Sequence, residues 1–284
     1  MTHSPRNINY NGSFLKEQGG CISINNRSFR YGDGCFETIK VVNGKFILKD
    51  LHFARLFSSL KALHFTIPPF LHVKYLSDLI LKLVKKNNHL HNARIRLTLF
   101  RGDGGLYDEV DPYPNFIIQS WEGNNDSNFF NTSGLMLNFF DDAKKSCDTF
   151  SQLKSNNFLP YAMGALFAKK NNLNDCLINN CYNRICESTV ANVFIIADGI
   201  IKTPALNQGC VAGVMRRYLI DCLKLEGITF IEGEVLPEEL SQASEVFLTN
   251  AIYGMRWVKS VGERNYTNKI SRLLHQKFVA PLFS

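Results

Sequence analysis

Apolar positions follow two different rhythms along the first half of the chain. Phe36-Glu37-Thr38-Ile39-Lys40-Val41-Val42 reads as a strand, Asn43-Gly44 interrupts it, and Lys45-Phe46-Ile47-Leu48 resumes it. Asn-Gly between two strand-like runs predicts a type I′ hairpin. The spacing then changes. Phe53, Leu56, Phe57, Leu60 and Leu63 recur at the period of one helix face, with Asp50 as the expected N-cap. Val73, Leu76, Ile80, Leu83 and Val84 predict a second helix over 71–88, and strands are expected over 93–100 and 115–120.

Glu122-Gly-Asn-Asn-Asp-Ser-Asn is rich in turn formers and poor in apolar residues, which places a boundary there. The expected division is a small domain over 1–121, a linker over 122–133 and a larger domain over 134–284. In the larger part, 177–178 and 190–196 read as strands, with Asp198-Gly199 as a hairpin turn. A helix is expected over 213–225 with Gly227 as its stop, then strands over 228–235 and 245–249 and a helix over 269–278. Hairpins mixed with helices, without regular βαβ alternation, predict an α+β fold.

Composition narrows the class. The 284 residues are 45% hydrophobic and 20% charged, an ordinary globular mix that excludes collagen-like, coiled-coil and wholly disordered chains. The net charge of +7 is carried by scattered pairs such as Lys85-Lys86 and Arg216-Arg217. Without a basic stripe interleaved with aromatics, no nucleic-acid partner is expected. No apolar run is long enough for a membrane helix, and the N-terminus is polar, so neither a membrane partner nor a secretory signal is expected. The eight cysteines, at 21, 35, 147, 176, 181, 186, 210 and 222, form no C-x-x-C pair. They are expected to be reduced thiols in a cytoplasmic protein that holds no metal.

Common nucleotide and nucleophile loops are absent: the chain has no G-x-G-x-x-G, no G-x-x-x-x-G-K-[ST] and no G-x-S-x-G. Arg101-Gly102-Asp103-Gly104-Gly105 follows a predicted strand and reads either as a plain loop or as backbone that approaches a ligand. Gly209-Cys-Val-Ala-Gly213-Val214-Met215-Arg216 leads into a predicted helix. The unpaired amides and dipole at such a helix start suit a phosphate, though an ordinary loop-to-helix entry has the same form.

Five segments in order resemble one family. Tyr31-Gly32-Asp33-Gly34-Cys35-Phe36-Glu37-Thr38, with His52-Phe53-Ala54-Arg55-Leu56 after the hairpin, is similar to the start of class IV aminotransferases. Leu153-Lys154-Ser155-Asn156-Asn157-Phe158-Leu159 resembles their cofactor-lysine segment. Cys186-Glu187-Ser188-Thr189-Val190-Ala191-Asn192-Val193-Phe194 resembles their E-x-x-x-x-N-[VL]-F segment. Gly213-Val214-Met215-Arg216 and Leu248-Thr249-Asn250-Ala251 resemble the two phosphate-loop segments.

The resemblance implies a two-domain enzyme of fold type IV that uses pyridoxal 5′-phosphate on a small amino substrate and assembles as a homodimer. Lys154 would hold the cofactor covalently and move the proton beside the substrate nitrogen. Glu187 would face the ring nitrogen, and Arg55 would pair with the phosphate. The amides of Val214, Met215, Ala251 and Ile252 would hold further phosphate oxygens. On the substrate side, either Arg96 or Arg101 would bind a carboxylate, with Tyr31 and Phe36 nearby.

Phe158 stands near the place where branched-chain transaminases carry Tyr, and Asn250-Ala251-Ile252-Tyr253-Gly254 replaces their G-T-A-x-E run. The Thr249-Asn250-Ala251 wording and the R-G-x-G-G run at 101–105 are closer to aminodeoxychorismate lyases. The expected activity is therefore release of pyruvate and 4-aminobenzoate from 4-amino-4-deoxychorismate. The alternative is a transaminase of branched-chain or D-amino acids. Thr38 would be catalytic in the lyase, as a hydroxyl able to position a proton.

Overall fold

A computed structural model describes residues 6–19, 22–124 and 128–283. The chain divides into two compact units: 1–125 with 154–157, and 126–153 with 158–284. Cys21 lies outside the described residues.

The first unit opens with β1 (Asn7–Tyr10), β2 (Ser13–Lys16) and the short α1 (Arg27–Tyr31). Then come β3 (Gly34–Val42) and β4 (Lys45–Phe46), joined through Asn43 at φ 49° and Gly44 at φ 76°. Two successive positive φ values are the signature of the expected type I′ turn. Next are α2 (Lys49–Ala62), α3 (Val73–Lys86), β5 (Asn92–Phe100) and β6 (Asn115–Glu122). The six strands form one sheet in the order β2-β1-β6-β5-β3-β4. Its inner face, including Cys35, Ile39, Val41, Ile95, Leu97 and Leu99, packs on Phe53, Leu56 and Leu60 of α2 and Leu76, Ile80 and Leu83 of α3. Each of these large side chains contributes up to about 1.5–3 kcal/mol by burial. Asp50 is not the cap of α2. The helix begins one residue earlier, after Leu48 at φ 53°, and Asp50 sits in its first turn.

Residues 154–157, expected with the second domain, group with the first unit. The Phe36 amide donates to the Lys154 carbonyl at 2.9 Å, and the Asn156 amide donates to the Gly34 carbonyl at 2.9 Å. The segment thus adds to the start of β3 as a short antiparallel piece, with Cys35 opposite Ser155. Gly34 permits this approach: a Cβ there would collide with the Leu99 carbonyl and stand 2.6 Å from the Asn156 side-chain nitrogen.

The second unit begins with β7 (Leu135–Lys145), α4 (Leu159–Lys170), β8 (Asp175–Asn180) and β9 (Ile185–Ser188). It continues with β10 (Asn192–Ala197), β11 (Ile200–Pro204), α5 (Val214–Leu225) and β12 (Phe230–Gly233). The last elements are α6 (Glu239–Gln242), β13 (Glu245–Asn250), β14 (Gly254–Val261), β15 (Arg264–Asn265) and α7 (Lys269–Leu274). The sheet order is β12-β11-β10-β13-β14-β7-β8-β9, with β15 on β14. Parallel pairs (β11/β12, β14/β7, β7/β8) mix with antiparallel ones. This is the α+β arrangement expected. Phe194 and Phe247 stack at 4.9 Å as register partners of β10 and β13. The expected helix over 269–278 is regular only to Leu274 and then widens into a π turn over His275–Val279. Among the described residues, no helix is long and apolar enough to cross a membrane.

Candidate active site

Alternation along β3 divides its side chains between two chemistries. Cys35, Glu37, Ile39 and Val41 face the core, and Phe36, Thr38 and Lys40 face the other way. A carboxylate on a core face must find partners, and α2 supplies them from one helical turn. Arg55 Nε donates to Glu37 Oε1 at 2.7 Å and Nη2 to Oε2 at 2.6 Å, while His52 Nδ1 lies 2.7 Å from Oε2. Burial alone would raise the Glu37 pKa, but the charge and hydrogen bonds of Arg55, helped by His52, hold it down at about 2. Burial, with the charges of Arg55 and Lys154, lowers the pKa of His52. A neutral imidazole facing a carboxylate must carry its proton on Nδ1. His52 Nε2 is buried with no hydrogen-bond partner among the described residues.

On the opposite face, two cations meet one ring. Lys154 Nζ stands 4.5 Å from the Phe36 ring centroid, and the Arg96 guanidinium carbon stands 3.7 Å from it. Thr38, half-buried, is the register partner of Arg96 across β3 and β5. Arg96 Nε donates to Thr98 Oγ1 at 3.2 Å, and burial with the neighbouring Arg94 charge lowers its pKa. Tyr31 ends α1, with Arg27 and Arg30 over its ring at 5.5 and 5.0 Å.

Arg101 is placed differently from Arg96. Its Nε donates to both Asp33 oxygens at 3.2 and 3.0 Å, its Nη2 donates to the Leu63 carbonyl, and its guanidinium stacks on Phe65 at 4.1 Å. These contacts brace the loop after β5 against the end of α2. The R-G-x-G-G run is held from the same side, since Arg27 bonds Asp33 and the Gly105 carbonyl.

In the second unit Glu187, on β9, is buried and accepts from Tyr161 Oη at 2.6 Å and from the Val211 amide at 3.0 Å. Lys145 Nζ lies 3.6 Å from its Oε1. Burial and the Glu187 charge raise the Tyr161 pKa well above its ordinary value, so the phenol remains a donor.

The start of α5 is packed tightly and has no side-chain cap. A Cβ on Gly213 would collide with Asn192 Oδ1, and Asn192 Nδ2 donates to the Val211 carbonyl at 2.8 Å. Asn192 is the register partner of Thr249, whose buried Oγ1 has no hydrogen-bond partner among the described residues. An uncapped helix start beside an orphaned hydroxyl fits a phosphate group, which accepts from both. Val214 and Met215 occupy the first turn of α5, and Arg216 is turned away to the Pro204 carbonyl and Glu232, both at 2.8 Å. The Ile252 amide donates to Asn250 Oδ1 at 2.9 Å, as does that of Tyr253 at 3.1 Å, and Asn250 Nδ2 reaches the Val190 carbonyl at 3.2 Å. Ala251 lies inside this turn.

The sequence patterns by themselves assign no site role to Glu37, His52, Lys145, Tyr161, Asn192 or Thr249. The spacing of His52 and Arg55 on one helix face, with a carboxylate in the core rhythm of β3, was the available signal for the first cluster. Lys145 and Tyr161 carry no comparable pattern.

The fold is that of the fold type IV aminotransferases. The branched-chain aminotransferase of Thermoproteus uzoniensis, solved with norvaline, superposes with a TM-score of 0.87 at 20% identity over 99% of this chain and 95% of that one. The chain belongs to the family described as amino-transferase class IV, whose pattern matches residues 34–261. It is thus a pyridoxal-5′-phosphate-dependent enzyme. A protein of Methanocaldococcus jannaschii named as a branched-chain-amino-acid aminotransferase is 28% identical over 280 residues, 95% of this chain and 94% of its own. The aminodeoxychorismate lyase of Bacillus subtilis is 27% identical over 266 residues, 91% of this chain and 88% of its own.

Proposed function

We propose that this enzyme is a 4-amino-4-deoxychorismate lyase, releasing 4-aminobenzoate and pyruvate. The observation that carries the reading is the outer face of β3: Lys154 and Arg96 both over Phe36, with Thr38 paired to Arg96. Bound pyridoxal phosphate supplies the electron sink for the carbanion formed beside the substrate nitrogen. Lys154 holds the cofactor and takes the proton from that carbon. Arg96 binds a substrate carboxylate; Arg101, held by Asp33 and the Leu63 carbonyl and stacked on Phe65, braces its loop. Thr38 presents a hydroxyl on the same face, where it positions a proton for the methylene carbon of the departing enolpyruvate. A transaminase does not need that second proton site.

For the cofactor, Glu187 meets the ring nitrogen, Arg55 takes the phosphate while Glu37 fixes its orientation, and the amides of Val214, Met215 and Ala251 take further phosphate oxygens. Thr249 Oγ1 joins this set. The Ile252 amide, bonded to Asn250, is the weakest member of it. The enzyme acts as a homodimer in the cytoplasm.

The second reading is a transaminase of branched-chain or D-amino acids, favoured by the likeness to the M. jannaschii protein over nearly the whole chain. Incubation with 4-amino-4-deoxychorismate, with 4-aminobenzoate and pyruvate followed by chromatography, separates the two. Equimolar products support the lyase. Amino transfer from leucine or D-alanine to a keto acid, with no 4-aminobenzoate, replaces it with the transaminase.

A further inference from the structure

Glu187 does not stand alone behind the ring nitrogen. We propose that Lys145 and Tyr161 are positioning residues that keep its carboxylate ionised and aimed, and so set the protonation of the cofactor ring. The inference rests on Glu187 being the partner of that nitrogen, as proposed above.

The three side chains form a short chain of charge-assisted hydrogen bonds. Lys145 Nζ donates to Tyr161 Oη at 2.6 Å, and Tyr161 Oη donates to Glu187 Oε1 at 2.6 Å. The direction is fixed by chemistry. An ammonium can only donate and a carboxylate can only accept, so the phenol must accept from the first and donate to the second. A phenol that accepts from a cation donates more strongly, because each bond polarises the next. Lys145 also lies 3.6 Å from Oε1 and therefore opposes protonation of Glu187 directly.

Four features hold the arrangement. The pairing of β7 with β8 slips between Phe140 and Lys145, a bulge just where Lys145 must be aimed. Lys145 Nζ also donates to the Ser151 carbonyl at 3.4 Å. Tyr161 lies one helical turn beyond Phe158 on α4, and the two rings pack at 4.4 Å. The second oxygen, Oε2, is fixed by the Val211 amide in the loop that leads to α5. A carboxylate held this way on both oxygens cannot rotate without breaking a bond, and each oxygen keeps a further lone pair for the ring nitrogen. Its negative charge is thus prepaid in geometry before the cofactor binds.

The test follows the ring nitrogen itself. Holoenzyme loaded with 15N-labelled pyridoxal phosphate reports N1 protonation by its nitrogen chemical shift across pH. Glu187→Gln is the control for the underlying reading and is expected to move that shift toward the unprotonated ring. Tyr161→Phe, which keeps the packing on Phe158, and Lys145→Gln are expected to lower the pH at which N1 loses its proton. They should cut kcat by roughly tenfold, about 1.4 kcal/mol, with little change in KM. Lys145→Arg should restore much of both. If Glu187→Gln moves the nitrogen shift while folded Tyr161→Phe and Lys145→Gln leave it as in the wild type, this inference is overturned and the role of Glu187 survives. If Glu187→Gln itself leaves the shift unmoved, the assignment of Glu187 is the one that fails.

Discussion

Arg55, half-buried on α2, closes both oxygens of the buried Glu37 at 2.7 and 2.6 Å. The carboxylate belongs to β3 and the guanidinium to α2, so the pair locks strand to helix as well as fixing the arginine. Losing either partner breaks a charge-assisted pair whose carboxylate is buried, at a cost of about 1.5–3 kcal/mol. Glu37→Gln should therefore lower stability at neutral pH and weaken cofactor affinity together. The sign of the pH dependence follows from the depressed carboxyl. Its stabilisation is complete above the ordinary value of about 4.5 and is lost as pH falls through about 2. Urea unfolding of wild type and variant should show a constant gap near neutrality that narrows below pH 4.5. A gap that widens on acidification would contradict the assignment.

Two lysines stand close to functional groups, Lys154 over Phe36 and Lys145 beside Glu187. Only the first is expected to carry the cofactor. Borohydride reduction of the holoenzyme, followed by peptide mapping, should place the label on Lys154. Label on Lys145 would exchange their roles.

Thr38→Val keeps the shape of the side chain and removes its hydroxyl. Breakdown of 4-amino-4-deoxychorismate should fall at least ~10-fold, a little over 1 kcal/mol, with cofactor affinity unchanged. Arg96→Gln should instead act mainly on KM, because a carboxylate contact binds ground and transition states alike. If both variants change only KM, Thr38 is a binding residue.

Gly213 has no room for a side chain against Asn192. Gly213→Ala should force the start of α5 away from β10, with an overpacking cost of about 1–3 kcal/mol. The same shift should loosen the phosphate site. Thermal unfolding with and without added pyridoxal phosphate checks both effects, and an unaltered cofactor dissociation constant would remove this helix start from the site.

The helices of the first unit were legible because their apolar spacing is local: Leu56, Leu60, Leu76 and Ile80 repeat a helix face and bury it. The hairpin was legible because Asn43-Gly44 names its own turn. Strand β7 carries no such local signal. It mixes Asp141, Asp142 and Lys144 with half-buried residues, and its partners β8 and β14 are parallel to it and distant in sequence. The site divides in the same way. Lys154, Glu187 and Arg55 sit in recognisable wording, whereas the different surroundings of Arg96 and Arg101 depend on Asp33, which only folding brings to Arg101. The Tyr161–Glu187 contact likewise spans 26 residues that carry no common pattern.

The return of residues 154–157 to β3 has a consequence for synthesis on the ribosome. A nascent chain that has emerged only as far as residue 125 lacks the piece that pairs with Gly34 and Phe36. That segment arrives only after 28 further residues, 126–153, which belong to the other unit. Closing a loop of that length costs about 3 kcal/mol of chain entropy, set against two main-chain hydrogen bonds and the contact of Lys154 with Phe36. The lysine should therefore be among the last parts of its unit to lock into place. A stalled chain ending at residue 125 should fold its helices yet expose the Gly34–Phe36 edge to proteolysis or to pairing with another chain.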